Sequence, residues 1–158
     1  MAGPGRALVH ALKYRAVLDA APVMGNRLRA LWESAGCDVA IAVPLHAARM
    51  RRRGFNQAAL LLREAGFPLA DGTLVRRRKT RTQIGMDARG RKVNVAGAFV
   101  YMGAPLTALA VALIDDVVTS GSTVDECAAV LKEHGARKVV AVSFARTSLV
   151  LPGGRYGE

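Results

Sequence analysis

Three short runs dominated by apolar and β-branched residues recur along the chain, each bounded by polar or glycine-containing sequence. They cover Asp38–Val43, Leu109–Ile114 and Lys138–Phe144, and their length and composition predict buried strands. Between them, apolar residues recur at helical spacing in Gln57–Ala65 and again from Thr123 to Gly135. Strands that alternate with amphipathic helices predict an α/β fold, with a Rossmann-like parallel sheet flanked by helices.

The segment before the first strand is helical in pattern. Helices are expected from Arg6 to about Leu18 and from Pro22 to about Ser34. The second should contribute four residues to the core, namely Val23, Leu28, Leu31 and Trp32. We expect this N-terminal segment to form a small helical hood.

Four further stretches complete the pattern. Leu74–Arg78 and Gly97–Tyr101 are predicted to be strands. Pro44–Phe55 and Lys79–Val95 lack apolar periodicity and are predicted to be loops. The second is polar, basic and long, and loops of this kind inside compact domains are usually functional, so we expect it to be flexible and to act as a lid.

The chain has 158 residues, 51% of them hydrophobic, which fits one globular domain with its own core. We expect a single domain over 1–158, comprising the N-terminal helical segment (1–36), the α/β core (37–150) and a tail (151–158). No apolar run is long enough to cross a bilayer. The start of the chain lacks the apolar stretch of a secretory signal, so we expect a cytoplasmic protein without membrane insertion.

Charge and cysteine content narrow the function. Lys and Arg total 23 against 12 Asp and Glu, a net charge of +11. Thirteen of the basic residues lie between Arg49 and Lys92, which favours an anion site over a merely solvated surface. The two cysteines, Cys37 and Cys127, cannot supply a four-ligand zinc site, and Cys127 lies on an apolar helical face that favours a buried thiol.

The segment from Asp115 to Thr123 carries the most specific chemistry. Two aspartates follow a buried strand, and Val117–Ser122 is predicted to be a tight loop before a helix that begins at Thr123. In parallel sheets, ligands bind beyond the carboxyl ends of strands, where loop N–H groups and the positive end of a helix attract phosphate. The carboxylates suit hydroxyl groups or the waters of a metal ion. A phosphate beside a diol, as in ribose 5-phosphate, satisfies both halves, whereas capping and turn preferences alone account poorly for the whole sequence.

This segment resembles the phosphoribosyl pyrophosphate (PRPP) motif of type I phosphoribosyltransferases, and more of the chain is similar to one branch of them, the ComF (competence protein F) family. The resemblance extends from about Leu12 to Arg146. Its marks, in chain order, are Leu12-Lys13-Tyr14, Val43-Pro44-Leu45-His46, Arg53-Gly54-Phe55-Asn56-Gln57, Thr82-Gln83, Arg91, Asn94-Val95, Gly97-Ala98-Phe99, the PRPP motif and Gly135-Ala136. It implies a type I phosphoribosyltransferase fold.

The resemblance also implies roles for individual residues. Asp115 and Asp116 would be catalytic, meeting the ribose hydroxyls and Mg²⁺ through water, together with Arg53. The 5-phosphate would be held by Thr119, Ser120, Gly121, Ser122 and Thr123. The pyrophosphate would be bound by Pro44, Leu45, His46, Arg53, Lys79 and Arg91. Many ComF proteins begin with a four-cysteine zinc ribbon, but this sequence has no such cysteines, so no zinc site is carried over.

The function implied is transfer of a phosphoribosyl group from PRPP to an unidentified nitrogenous acceptor, with release of pyrophosphate. Two alternatives remain open: assistance in the uptake of single-stranded DNA, and sensing of PRPP without turnover. Aromatic residues make up only 5% of the chain, so stacking platforms for single-stranded DNA are scarce. The expected partners are PRPP or another ribose 5-phosphate ligand, with single-stranded DNA and a second copy of the chain as further candidates.

Overall fold

The computed structural model describes residues 20–45, 47–70, 72–78, 93–118 and 121–146. The helices and strands are, in chain order, α1 Ala20–Ala35, β1 Val39–Ala42, α2 Ala47–Arg53, α3 Gln57–Ala65, β2 Gly72–Arg76, β3 Phe99–Gly103, β4 Ala110–Val118, α4 Ser122–Glu133 and β5 Lys138–Arg146. None of the helices in these ranges is long and apolar enough to span a membrane.

The main sheet is parallel and has the strand order β1-β4-β5. In its register Ala42 of β1 lies beside Ile114 of β4, and Ala110 of β4 lies beside Lys138 of β5. The first five residues of the central strand β4 are buried, as expected for a strand covered by helices on both faces. The predicted α/β fold, with a parallel sheet flanked by helices, is confirmed.

The two faces of this sheet are covered by different elements. On one face, α1 and α3 contribute Met24, Leu28 and Leu61 to a cluster that includes Ile114. On the other face, α4 and the antiparallel pair β2–β3 form the second cluster, which includes Leu113. Burial of each of these side chains stabilises the fold by about 1.5–3 kcal/mol, so the two clusters hold the carboxyl edge of the sheet in place.

The described part of the N-terminal segment packs on the sheet, and its buried face differs in part from the prediction. Leu28 is buried as expected, but Val23 and Leu31 are 58% and 51% exposed. The face is rotated because Gly25 lies against α3, where an added Cβ would come 3.0 Å from the Ala65 nitrogen. Residues 1–19, which include Lys13 and Tyr14 of the predicted hood, lie outside the described residues.

Three other boundaries needed correction. The stretch predicted as the loop Pro44–Phe55 contains the short helix α2, which has four arginines and no apolar stripe for the pattern to detect. Strand β4 continues to Val118, because Val117 and Val118 pair with β5 as far as Arg146. Residues 93–95, at the end of the predicted long loop, are helical; most of that loop lies outside the described residues.

Candidate functional site

The carboxyl ends of β1 and β4 bring two predicted site segments side by side. The Val43 N–H donates to the Ile114 carbonyl at 2.8 Å, which continues the parallel pairing one residue beyond β1. Pro44 and Leu45 follow directly and are half-buried. They therefore lie next to the residues that follow Ile114 in β4, which are the two aspartates. His46 lies outside the described residues.

Asp115 and Asp116 lie within β4 rather than beyond its end. Asp115 is half-buried and its Oδ1 accepts from the Asp116 N–H at 2.8 Å. Asp116 is 8% exposed, and its Oδ1 accepts from the Val117 N–H at 2.9 Å. Each carboxylate thus has one oxygen fixed by the backbone of the next residue, which restricts the orientation of both groups at the edge of the sheet.

The loop between β4 and α4 ends in a left-handed residue. Gly121, the residue before α4, has φ 81° and ψ −16°, a conformation that glycine adopts without the steric cost of a β-carbon. The helix begins at Ser122, one residue before the predicted start, with Gly121 as its N-cap residue. Ser122 is buried and Thr123 half-buried. Because α4 follows β4 in the chain, its first-turn N–H groups lie towards the carboxyl edge of the sheet, where the aspartates are. Thr119 and Ser120 fall outside the described residues.

A basic side chain that was not given a site role lies close to this edge. The Arg76 guanidinium stacks over the Phe99 ring at 5.3 Å from the centroid. The Cys127 thiol is fully buried, and its pKa is raised to about 12 mainly by that burial, with the Asp115 charge adding to the shift and the Arg76 charge opposing it. Asp115 and Arg76 therefore both lie close enough to the Cys127 thiol of α4 to change its pKa. The prediction of Cys127 as a buried thiol is confirmed.

The start of α3 is tied to the end of β1. Asn56 caps the helix, as predicted, because its side chain accepts from the Ala58 N–H at 3.0 Å. Its Nδ2 donates to the Val43 carbonyl at 3.0 Å. The Arg53 Nη1 donates to the Gln57 Oε1 at 3.2 Å. Arg53 is therefore held at the carboxyl edge by the first turn of a helix that is itself anchored to β1.

Sequence reasoning gave Gln57 no role, although a signal was present. The side chain is only 2% exposed and continues the buried face of Leu61 and Ala65 at a spacing of four residues. Residues four apart lie on the same face of a helix, so Gln57 shares the face of Leu61 and Ala65 whatever its polarity. The burial of Gln57 could therefore have been predicted from its four-residue spacing to Leu61.

Two contacts fix the ends of the basic segment between β2 and β3. Arg78 Nη2 donates to the Ala96 carbonyl at 2.6 Å and to the Asn94 carbonyl at 3.3 Å. The Gly97 N–H donates to Glu126 Oε1 of α4 at 2.6 Å. The segment is therefore linked to the helix that follows the candidate phosphate loop. Lys79 and Arg91, both predicted to bind pyrophosphate, lie outside the described residues.

The donor set fits Mg²⁺ held mainly through water. Within the described ranges, no group of three or more His, Cys, Asp or Glu side chains converges as a metal cage would require. Mg²⁺ retains several waters and is commonly bound by one or two carboxylates together with substrate phosphates. Asp115 and Asp116 supply such a pair, and an Mg²⁺ ion there would need the oxygens of a bound phosphate ligand to complete its shell.

Comparisons with known proteins agree with the sequence motifs. No family profile matches the chain. It is 40% identical over 114 residues to DNA utilization protein YhgH of Salmonella typhi, which covers 70% of this chain and 50% of that protein. It is 35% identical over 112 residues to competence protein F of Haemophilus influenzae, with 67% and 49% covered. The chain thus spans about half the length of the curated relatives it matches.

Among solved structures, the fold is similar to a hypoxanthine phosphoribosyltransferase from Staphylococcus aureus, at 12% identity and a TM-score of 0.47, with 85% of this chain and 70% of the other covered. The relatives named YhgH and competence protein F match this chain at 35–40% identity over 67–70% of its length. Over these matched residues, the chain therefore belongs to the family of competence protein F, as its motifs predicted.

Proposed function

We propose that this chain binds PRPP and transfers its phosphoribosyl group to a nitrogenous acceptor, releasing pyrophosphate. The observation that carries the proposal is the left-handed Gly121 at the start of α4, three residues after a central strand whose last four residues begin with Asp115 and Asp116. This arrangement places the positive end of a helix, which favours a phosphate, and two carboxylates, which suit a neighbouring diol, at one edge of the sheet.

In this proposal, the 5-phosphate lies at the start of α4. Its oxygens accept from the first-turn N–H groups and from the hydroxyls of Thr119, Ser120, Ser122 and Thr123. Gly121 allows the phosphate to approach the backbone closely. The loop carries no cationic side chain, so helix dipole and hydrogen bonds supply the attraction.

The ribose hydroxyls would donate to Asp115 and Asp116, whose orientation is restricted by their backbone contacts. The same carboxylates would hold Mg²⁺ through water, and the ion would supply charge neutralisation at the pyrophosphate. Because Asp116 is buried, replacing its charge should weaken ligand binding more than replacing a carboxylate at the surface.

The pyrophosphate would lie towards Pro44, Leu45, His46 and Arg53, with Lys79 and Arg91 supplying further positive charge. In the reaction, the bond from the ribose anomeric carbon to the pyrophosphate oxygen breaks and its electron pair leaves with pyrophosphate. A bond forms from that carbon to the acceptor nitrogen, which gives up its proton to solvent. Fixed cations favour this step because negative charge develops on the leaving group.

A pyrophosphate-release assay tests turnover. PRPP with Mg²⁺ would be incubated with the protein and a panel of purine and pyrimidine bases, beside Asp115→Asn and the surface variant Glu133→Gln. We expect release with at least one base, reduced at least tenfold in Asp115→Asn and unchanged in Glu133→Gln. Saturable PRPP binding without release for any base would instead support a PRPP sensor without turnover.

A second function, handling of single-stranded DNA, is favoured by the exposed arginines Arg51, Arg77 and Arg78 and by the names of the relatives, competence protein F and DNA utilization protein. Phosphate-backbone binding depends steeply on salt. Anisotropy of a labelled oligo-dT should therefore show a binding constant whose logarithm falls linearly with the logarithm of the salt concentration. Loss of PRPP binding but not of DNA binding in Asp115→Asn would indicate separate sites; joint loss would indicate one shared groove.

The proposed location is the cytoplasm, where PRPP is available to such an enzyme. A homodimer is proposed as the assembly to test first, by light scattering coupled to size-exclusion chromatography. A mass of about 33 kDa, twice the 16.7 kDa of one chain, is the expected result for a dimer.

A further inference from the structure

Glu126, at the start of the second turn of α4, holds a part of the chain that is distant in sequence. Its Oε1 accepts from the Gly97 N–H at 2.6 Å. A hydrogen bond to a carboxylate is shorter than one between neutral groups and roughly twice as strong. Gly97 has φ 64°, in the left-handed region, and lies two residues before β3. The contact therefore fixes the backbone at the point where the chain enters β3.

The same short stretch is held from the other side by the residues that follow β2. Arg78 Nη2 donates to the carbonyls of Ala96 at 2.6 Å and of Asn94 at 3.3 Å. Between these two residues lies Val95, whose side chain is fully buried in the cluster to which α4 contributes. The two ends of the basic segment are thus joined to each other, and Glu126 joins them to α4.

The sequence between these ends is strongly cationic. Residues 79–92 include one acidic side chain and five basic ones, namely Lys79, Arg81, Arg89, Arg91 and Lys92. Lys79 and Arg91 are the two to which a pyrophosphate contact is assigned in the proposed function. Glu126 lies one helical turn, about 6 Å, from Ser122 at the start of α4. Its contact therefore links the cationic segment to the helix whose start is the proposed 5-phosphate site.

We infer that Glu126 is a positioning residue for pyrophosphate binding, which fixes the ends of the basic segment relative to the start of α4 before the ligand arrives. Groups that are ordered in advance lose less conformational freedom on binding, so preorganisation raises affinity without adding a contact to the ligand. The inference rests on the proposed function, and it adds a residue that acts through the backbone of Gly97 rather than by touching the ligand.

The charge of Glu126 would by itself have the opposite effect. A carboxylate near an anion site repels the ligand, so loss of the charge alone should strengthen pyrophosphate binding. Loss of the acceptor oxygen should weaken it, because the ends of the segment are then no longer tied to α4. Glu126→Gln loses the charge but keeps an acceptor for Gly97, whereas Glu126→Ala loses both. The two variants therefore separate positioning from electrostatic repulsion.

Calorimetry with inorganic pyrophosphate and Mg²⁺ would measure the effect, beside ribose 5-phosphate as the probe of the start of α4. Glu133→Ala is the matched control, because it removes an exposed carboxylate from the same helix. Hydrogen exchange of the Gly97 amide, followed by NMR, reports on the contact without any ligand. Circular dichroism of each variant would establish that it is folded.

We expect Glu126→Ala to weaken pyrophosphate binding about fivefold, a loss near that of one hydrogen bond to a charged group at the surface. The Gly97 amide should exchange at least fivefold faster in this variant. Glu126→Gln and Glu133→Ala should both bind pyrophosphate within twofold of wild type. Ribose 5-phosphate binding should not weaken in any of the three variants.

Several outcomes would overturn the inference. Glu126→Ala could bind pyrophosphate as tightly as Glu126→Gln, its Gly97 amide could exchange as in wild type, or it could lose affinity for both ligands alike, which would indicate a general disturbance of α4. Wild type that binds ribose 5-phosphate but no pyrophosphate would exclude the positioning role and leave the 5-phosphate site in place. Conversely, pyrophosphate binding that depends on Glu126, without any binding of ribose 5-phosphate or PRPP, would support the role and contradict the proposed function.

Discussion

Replacing Gly121 by alanine tests whether the loop before α4 depends on its left-handed backbone. At φ 81° the residue lies in a region that costs an L-residue about 1–2 kcal/mol. The added Cβ would lie 3.7 Å from Asp125 Oδ2, an ordinary contact, so the described surroundings add no steric penalty. Because alanine also restricts the unfolded chain, which offsets about 0.4–1 kcal/mol, we expect a net loss of about 1 kcal/mol.

The cost of the substitution can appear either in stability or in ligand affinity. If the loop of Gly121→Ala keeps its conformation, the free energy of unfolding decreases, and the midpoint of thermal denaturation falls by about 2–4 °C for a domain of this size. If the loop instead relaxes to another conformation, the variant keeps its stability, but its affinity for ribose 5-phosphate falls about fivefold. Gly36→Ala is the matched control, since Gly36 has φ 58°, an open surrounding and a position at the opposite edge of the sheet; it should lose stability alone. A Gly121→Ala protein that equals wild type in both measurements would refute the reasoning.

Three further predictions concern the same region. Asn56→Ala should lower the free energy of unfolding in urea by about 1–2 kcal/mol, whereas Asn56→Asp keeps the capping acceptor and loses only the bond to Val43, so equal losses would contradict the role of the cap. Asp125→Asn should raise the calorimetric affinity for ribose 5-phosphate about two- to fivefold, because it removes a carboxylate from the first turn of α4; a weaker affinity would argue against a phosphate there. The pKa of Cys127 is raised from 9.0 to about 12, mainly by burial, so the thiol's contribution to stability is fully present below pH 9 and is lost as the pH rises towards 12. The free energy of unfolding of Cys127→Ala should therefore fall less than that of wild type between pH 9 and 12. Equal falls in the two proteins would contradict the shift.

The elements that could be predicted are those whose signals are local. The bounds of α3 were predicted to the residue, because Asn56 supplies the capping oxygen and Gly66 adopts the left-handed conformation that ends the helix. The end of β4 could not be predicted in this way. Aspartate is uncommon in strands, but here β5 continues alongside and pairs with Val117 and Val118. The extension depends on a partner 28 residues away in the register, which no local pattern contains.

The candidate site was predictable in its motif and not in its supporting contacts. A strand up to Ile114, a tight loop and a helix from Thr123 were predicted in this order, and the structure has the same order, with the strand extended to Val118 and the helix beginning at Ser122. By contrast, the bond from Gly97 to Glu126 joins residues 29 positions apart, and that from Arg78 to Ala96 joins residues 18 apart. The first contact arises from the packing of α4 beside β3 and the second from the pairing of β2 with β3, so both could be found only from the fold.

Calorimetric titration of PRPP with Mg²⁺ tests the central claim most directly. The titration would be made on wild type, Asp116→Asn and Glu133→Gln, with ribose 5-phosphate and AMP as comparison ligands. Glu133 is an exposed carboxylate at the far end of α4, about 16 Å from its start. The account predicts saturable PRPP binding by wild type and Glu133→Gln, and at least a tenfold weaker affinity in Asp116→Asn. Absence of PRPP binding by the wild-type protein, or equal affinity in Asp116→Asn, would contradict it.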